Sequence, residues 1–197
     1  PMELQQVLET TGTCRCYRPD PVPAETLRRV LDAARFAPSG GNRQPVRFVV
    51  VRDAALRRAL HDLYLPRWEA YSAPYRAAAE KAGVTLPAVL ANADHFARHL
   101  HAVQVLAVAC FRVAEVLPTD AELGRISVVG GASVYPAVQN LLLKARDEGL
   151  GSALTTILCA EEPKVKALLA IPEDFGTAAL LALGWPEKAL PKRLRRR

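Results

Sequence analysis

Ala33–Asp53 reads AARFAPSGGNRQPVRFVVVRD, and three signals follow one another in it: the end of an amphipathic helix, a turn-rich polar loop, and a strand. Pro38 stops the helix, because an interior proline removes a hydrogen bond and clashes with the preceding turn. Ser39, Gly40, Gly41 and Asn42 make a loop whose glycines let the backbone come close to a ligand. Beyond Pro45 the β-branched run Val46–Val51 predicts a strand buried on at least one face. A loop dense in hydroxyls, amides and exposed N–H groups suits a polyhydroxylated or phosphorylated ligand; an ordinary helix–strand connection has the same composition.

Working outward, Leu27, Val30, Leu31 and Ala34 form an i, i+3, i+4, i+7 stripe, and Pro23 suits the first turn of that helix. Glu3–Thr10 reads as a short helix and Cys14–Arg18 as extended chain. Ala54–Leu63 predicts a helix, Val103–Phe111 a second strand, and Leu117–Gly124 a polar loop. Val134–Glu148 has the apolar spacing of a long packed helix capped by Gly149. Ala153–Leu158 predicts a strand, Glu162–Leu169 a helix and Thr177–Gly184 a last strand. This alternation makes an α+β or α/β sandwich without fixing the order of its strands.

Tyr64–Leu100 is the least regular stretch. Its aromatics (Tyr64, Trp68, Tyr71, Tyr75 and Phe96) are interrupted by Pro66, Pro74 and Pro87. It reads either as a peripheral helical hairpin or as a lid whose rings stack on a flat substrate.

A chain of 197 residues with 50% hydrophobic composition can bury the core of one domain. No apolar run is long enough for a membrane span, and no basic-then-apolar leader opens the chain, so a cytoplasmic protein is expected. The net charge of +6 is concentrated in Lys192, Arg193, Arg195, Arg196 and Arg197, which leaves the body nearly neutral and argues against a nucleic-acid-binding face. Four cysteines are too few for a disulfide framework. Cys14-Arg15-Cys16 lacks a second ligand pair, and His95 and His99, four residues apart, lack a third ligand, so no metal site is expected.

The motifs together resemble the FMN-dependent nitroreductase family. Pro38-Ser39-Gly40-Gly41-Asn42-Arg43-Gln44-Pro45 is similar to its P-S-x-x-N-x-Q-P element. Arg15–Pro23 resembles its R-x-F/Y-x-x-D-P-V-P element, and Leu183-Gly184-Trp185-Pro186 its L-G-Y/W-P. The matches keep family order across nearly the whole chain. The resemblance implies a single domain over 1–197, with a mixed, mostly antiparallel sheet flanked by helices. It also implies an intertwined homodimer, with a lid-like segment at about 64–100 and a basic tail at 191–197.

It further implies FMN at the dimer interface, reduced by NAD(P)H and reoxidised by a nitroaromatic, quinone or activated alkene in a ping-pong hydride transfer through flavin N5. Arg15 matches the basic residue at the flavin's pyrimidine edge or ribityl chain, and Thr13 the small hydroxyl cofactor-binding residue two positions earlier. Pro38, Ser39, Gly40, Asn42 and Gln44 match the loop on the ring and ribityl group. Leu154, Thr155, Thr156 and Ile157 match the segment packed on the ring, with the N–H of Thr156 toward N5. Lys192, Arg193 and Arg195 fall where basic residues meet the phosphate; as plain sequence they read equally as a solvated end. Two departures stand out: Thr11 and Gly12 replace arginines, and Thr156 replaces a glutamate common in relatives. Other readings are a reductive dehalogenase, a flavin-degrading relative, or a non-enzymatic flavin-binding protein.

Overall fold

The computed structural model describes residues 1–194. Its centre is an antiparallel sheet of four strands: β1 (Val46–Val51), β2 (Val105–Arg112), β3 (Gly151–Thr155) and β4 (Phe175–Gly184). Their order is β1-β2-β4-β3. Among the described residues the one parallel contact is an isolated bridge between Thr13 and Ser152.

The strands β2 and β4 sit in the middle, and their alternation divides the core in two. Val105, Ala107, Ala109, Ala179, Leu181 and Leu183 face one layer. Leu106, Val108, Cys110, Leu180 and Ala182 face the other. Both sets are apolar, as strands covered on both faces require. A bulge between Ala109 and Cys110 shifts the register, pairing Cys110 with Thr177.

The first layer is α2 (Ala24–Ala33) and α5 (Tyr135–Asp147). The stripe Leu27, Val30 and Ala34 packs against Ala137, Val138 and Leu141. The helix α2 gives way to a 3₁₀ turn at Ala34–Phe36, so the chain has already left the α-helix before Pro38. The helix α1 (Leu4–Thr10) lies along α5, where Met2 N–H donates to Asp147 at 2.7 Å.

The second layer corrects one expectation. Instead of stopping near Leu63, α3 runs unbroken over Ala54–Ala82, through Pro66 and Pro74. Each proline should cost about 3 kcal/mol in a helix interior. Both lie on the solvent side, and so do the exposed Asp62 and Ala70, four residues back, whose carbonyls lose their helical partners. The opposite face, Leu60, Tyr64 and Trp68, is buried in the second core and outweighs that cost. Gly83, with φ +63°, ends the helix. The chain then returns as α4 (Ala88–Arg98). The remaining helix, α6 (Glu162–Leu169), follows a 3₁₀ turn at Ile157–Glu161, which replaces the expected end of the third strand.

Asp94 joins α3 to α4. It accepts Trp68 Nε1–H at 2.9 Å and is paired with Arg76 and Arg98. Burial opposes its ionisation, but these hydrogen bonds prevail and hold the carboxyl at about 2, against 3.8 ordinarily. A lowered carboxyl pKa stabilises the fold above the unfolded value and ceases to do so as pH falls through the folded value. Asp94→Asn should therefore cost about 1–2 kcal/mol in urea unfolding at neutral pH. The gap from the parent should close as pH drops from about 4 to about 2; a gap independent of pH would mean that packing alone is responsible.

Candidate functional site

The segment Thr13–Tyr17 is pinned by backbone pairing to β3 at one end and to the chain just beyond β4 at the other. Cys14 N–H donates to Ser152 O at 2.8 Å, Arg18 N–H to Trp185 O at 2.8 Å, and Glu187 N–H to Cys16 O at 3.1 Å. The close approach needs Gly151: a Cβ there would lie 2.5 Å from Cys14 Sγ. Cys14 is buried by this docking, which raises its pKa and makes it a poor nucleophile.

The docking places Thr13, exposed, and Arg15, half-buried, at the open edge of β3. Arg15 has no carboxylate within salt-bridge distance among the described residues. Along the same edge Leu154 is 39% exposed, unusual for a leucine in a strand, and Thr156 is exposed. Thr155 ends the strand, its hydroxyl accepting Ile157 N–H at 3.4 Å in competition with the sheet.

The tail reaches this neighbourhood. Leu194 N–H donates to Glu9 O at 2.7 Å, and Arg193 lies 3.4 Å from the Glu9 carboxylate. The Leu194 side chain covers Gly12, where a Cβ would meet it at 2.9 Å. Lys192 is exposed. Arg195 lies outside the described residues.

The loop Pro38–Gln44 is built differently. Ser39 Oγ accepts Gln44 N–H at 2.9 Å, Gly40 N–H donates to Ser133 Oγ at 2.9 Å, and Gln44 Nε2 donates to Asn42 Oδ1 at 3.0 Å. Gly41, Asn42 and Gln44 all have positive φ, at +58°, +52° and +50°. A glutamine in that region is strained, and such strain concentrates at ligand sites. Two clefts of about 440 and 430 Å³ flank the loop. The first has an apolar floor of Leu31, Val46 and Phe48 and a rim carrying Arg35 and Arg47.

The second cleft is walled by Val116, Leu117 and Val129, of which only Leu117 lies in the stretch read from sequence as a polar loop. The signal is present in Leu123, Ile126 and Val128, apolar residues that are 65, 89 and 75% exposed. Asp120 shapes this segment. Its carboxyl accepts Ser127 Oγ–H at 2.6 Å and Val128 N–H at 3.0 Å and pairs with Arg125, which together hold it well below the usual carboxylate range.

Four aromatics of the expected lid separate. Tyr64 and Trp68 are 2 and 5% exposed and belong to the core, so neither presents a ring face to cover a substrate. Tyr71 and Tyr75 are exposed and lie 5.7 Å apart, ring to ring. His95 and His99 stack at 4.2 Å, and no group of three His, Cys, Asp or Glu that could hold a metal occurs among the described residues.

The candidate residues thus form two sets on the two edges of the sheet. Thr13, Arg15, Leu154–Ile157 and the tail lie at the β3 edge, and Pro38–Gln44 leads into β1. Three strand spacings, about 14 Å, separate the edges.

The sequence matches the model of the Nitroreductase family over residues 8–185. This chain belongs to the nitroreductase family. It is 35% identical over 179 residues to an NADH dehydrogenase of Thermus thermophilus, covering 87% of this chain and 81% of that one. It is 32% identical over 184 residues to a 5,6-dimethylbenzimidazole synthase of Rhodospirillum rubrum, covering 90 and 79%. Among solved structures it resembles an oxidized iodotyrosine deiodinase bound to FMN and 3-iodo-L-tyrosine. The TM-score is 0.71 at 24% identity, over 99% of this chain and 96% of that one. With a nitroreductase family protein of Clostridium novyi the TM-score is 0.66 at 21% identity, covering 94 and 86%. These likenesses establish the nitroreductase fold for the sheet and helix layers described above.

Gly151→Ala should force Cys14 away from β3, since its Cβ has no room there. Overpacking of this kind costs about 1–3 kcal/mol, measurable in denaturant. Amide exchange should rise first at Cys14 and Arg18, the donors that hold the segment; uniform exchange across the fold would show that the segment is anchored elsewhere.

Proposed function

We propose that this protein is an FMN-dependent oxidoreductase that takes electrons from NAD(P)H and passes them to a small, electron-poor aromatic, quinone or enone-type acceptor. It works as a soluble cytoplasmic homodimer. The observation that carries the reading is the half-buried Arg15, with no carboxylate in salt-bridge distance among the described residues, at the opposite edge of the sheet from the strained Pro38–Gln44 loop. A second copy brings the loop of one chain to the β3 edge of its partner, completing a site that neither chain contains alone.

The residues fit the cofactor by their chemistry. An unpaired guanidinium suits a group that gains negative charge on reduction. Leu154 offers apolar area to a flat ring, and the N–H of Thr156, an exposed residue, is a donor for its edge. Gly12 leaves the space that the tail occupies, so Lys192 and Arg193 stand beside the position of the missing arginines. They take the phosphate in that place. When bound, FMN supplies the hydride chemistry; the chain supplies position, charge and exclusion of water.

The deiodinase likeness and the synthase relative favour a second reading on the same scaffold, in which the reduced cofactor serves another chemistry. The electron donor separates the two. Purified protein should take up FMN at micromolar concentration, sediment as a dimer, and lose its flavin absorption on addition of NADH or NADPH. Bleaching by dithionite alone would favour the second reading, and no uptake of FMN would overturn both.

Two variants test the assignments. Replacing Lys192 and Arg193 by alanine should weaken FMN by about 1.5–3 kcal/mol for each charge-assisted bond removed and leave riboflavin, which has no phosphate, nearly unchanged. Equal weakening of both ligands would make the tail a structural element. Arg15→Ala should lower the flavin midpoint potential by roughly 30–60 mV, because it removes a charged hydrogen bond of about 1.5–3 kcal/mol that favours the reduced anion. Potentials read against a reference dye decide this, and an unchanged value would limit Arg15 to a role in the fold.

A further inference from the structure

Tyr64 Oη lies 3.2 Å from Thr155 Oγ1, and Tyr64 is 2% exposed. Thr155 has no other side-chain hydrogen bond among the described residues, apart from the Ile157 N–H that it accepts. The direction of the Tyr64–Thr155 bond follows from counting protons. If Thr155 donated, the buried phenol proton would have no acceptor, and an unpaired buried donor is costly. Tyr64 therefore donates. A threonine hydroxyl has two lone pairs and one proton. With Tyr64 and Ile157 N–H occupying both lone pairs, the Thr155 proton is left for a third partner, and Arg15 stands near enough for its charge to act on the Tyr64 phenol.

We propose that Tyr64 is a positioning residue: it fixes the Thr155 hydroxyl as a hydrogen-bond donor aimed at the cofactor edge. The inference rests on the flavin reading above. Tyr64 is unusual among the aromatics of α3 in combining both requirements. Its ring is locked edge-on to Phe96, with centroids 6.4 Å apart, so Oη is held still. Burial raises the phenol pKa and outweighs the nearby Arg15 charge, so the donor stays protonated at neutral pH. The 3₁₀ turn that begins at Ile157 keeps its N–H turned back on Thr155, so the second lone pair stays filled. A donor directed at a ring whose reduced form is anionic binds that form more tightly than the oxidised one.

Tyr64→Phe deletes the phenol and keeps the ring packing; Thr155→Val deletes the hydroxyl at constant shape. In FMN-loaded protein each should lower the affinity for reduced relative to oxidised flavin about fivefold, a fall of about 20 mV for a two-electron couple. The double variant should fall no further than either single, because both act through one hydrogen. Thr155→Ser should keep the parent potential. Affinity for oxidised FMN should change little, and Thr155→Val, which leaves the buried phenol without its acceptor, should lower the melting temperature of the flavin-free protein more than Tyr64→Phe does. An unchanged or raised potential in Tyr64→Phe, or additive shifts in the double variant, would overturn the proposal. If Tyr64→Phe fails to fold, Thr155→Val decides alone: a parent-like potential overturns it. Parent protein that takes up no flavin defeats the flavin reading itself, and the Tyr64 proposal falls with it. Parent protein that holds flavin while Tyr64→Phe is indistinguishable from it defeats the Tyr64 proposal only.

Discussion

Burial of β2 and β4 on both faces is the constraint from which the rest of the molecule follows. Two central strands whose buried positions are Val, Leu, Ala and Cys have no polar face to offer water there, so each side must be roofed by helices. The pair α2 and α5 covers one side, and α3 with α4 covers the other. The edge strands are then the places where the sheet meets other groups. Each edge carries one of the two sets of candidate residues, β1 through the Pro38–Gln44 loop and β3 through the docked Thr13–Tyr17 segment. The candidate site is thus a property of the sheet's edges, while its middle supplies rigidity.

The two edges hold their residues by opposite means. At β3 the positioning is by backbone pairing and close packing, and the requirement is for something small: Gly151 under Cys14, Gly12 under Leu194. At β1 a short loop bonds to itself and to Ser133 and keeps two non-glycine residues at positive φ. Strain of about 1–3 kcal/mol per residue in such a loop is sustained by those bonds and by the burial of Pro45 that follows. The candidate site therefore lies where the fold is locally least relaxed, and the layers behind it are where it is most regular.

Much of this is legible in the amino-acid sequence. The stripe Leu27, Val30, Leu31, Ala34 and the spacing of Val134–Ala145 identify the helices of the first layer, because amphipathic periodicity survives in any surface helix. Strands β1, β2 and β4 are found to within two residues by their β-branched and apolar runs. Strand β3 is read two residues late at its start and three too far at its end, where Thr155 bonds locally in a way that no periodicity records. The unbroken α3 is also hidden: proline reads as a breaker, and only the side of the helix on which Pro66 and Pro74 fall decides otherwise. For the candidate site, the family motifs give the residue types, but only strand order reveals that they lie on opposite edges. Tyr64 and Trp68, grouped with Tyr71 and Tyr75 by composition, are parted from them by burial.

The two tryptophans of the chain, Trp68 and Trp185, occupy opposite layers of the sheet. Trp68 donates to the Asp94 carboxylate between α3 and α4, whereas Trp185 donates to Pro21 O at 3.2 Å and receives Arg18 N–H on its carbonyl. One indole thus lies beside a fixed negative charge in a dry interior, the other beside neutral backbone at a partly wet surface. Their emission should differ in wavelength and in accessibility to a dissolved quencher. The molecule carries its own pair of fluorophores, one reporting the grip between two helices and the other the seating of the N-terminal segment.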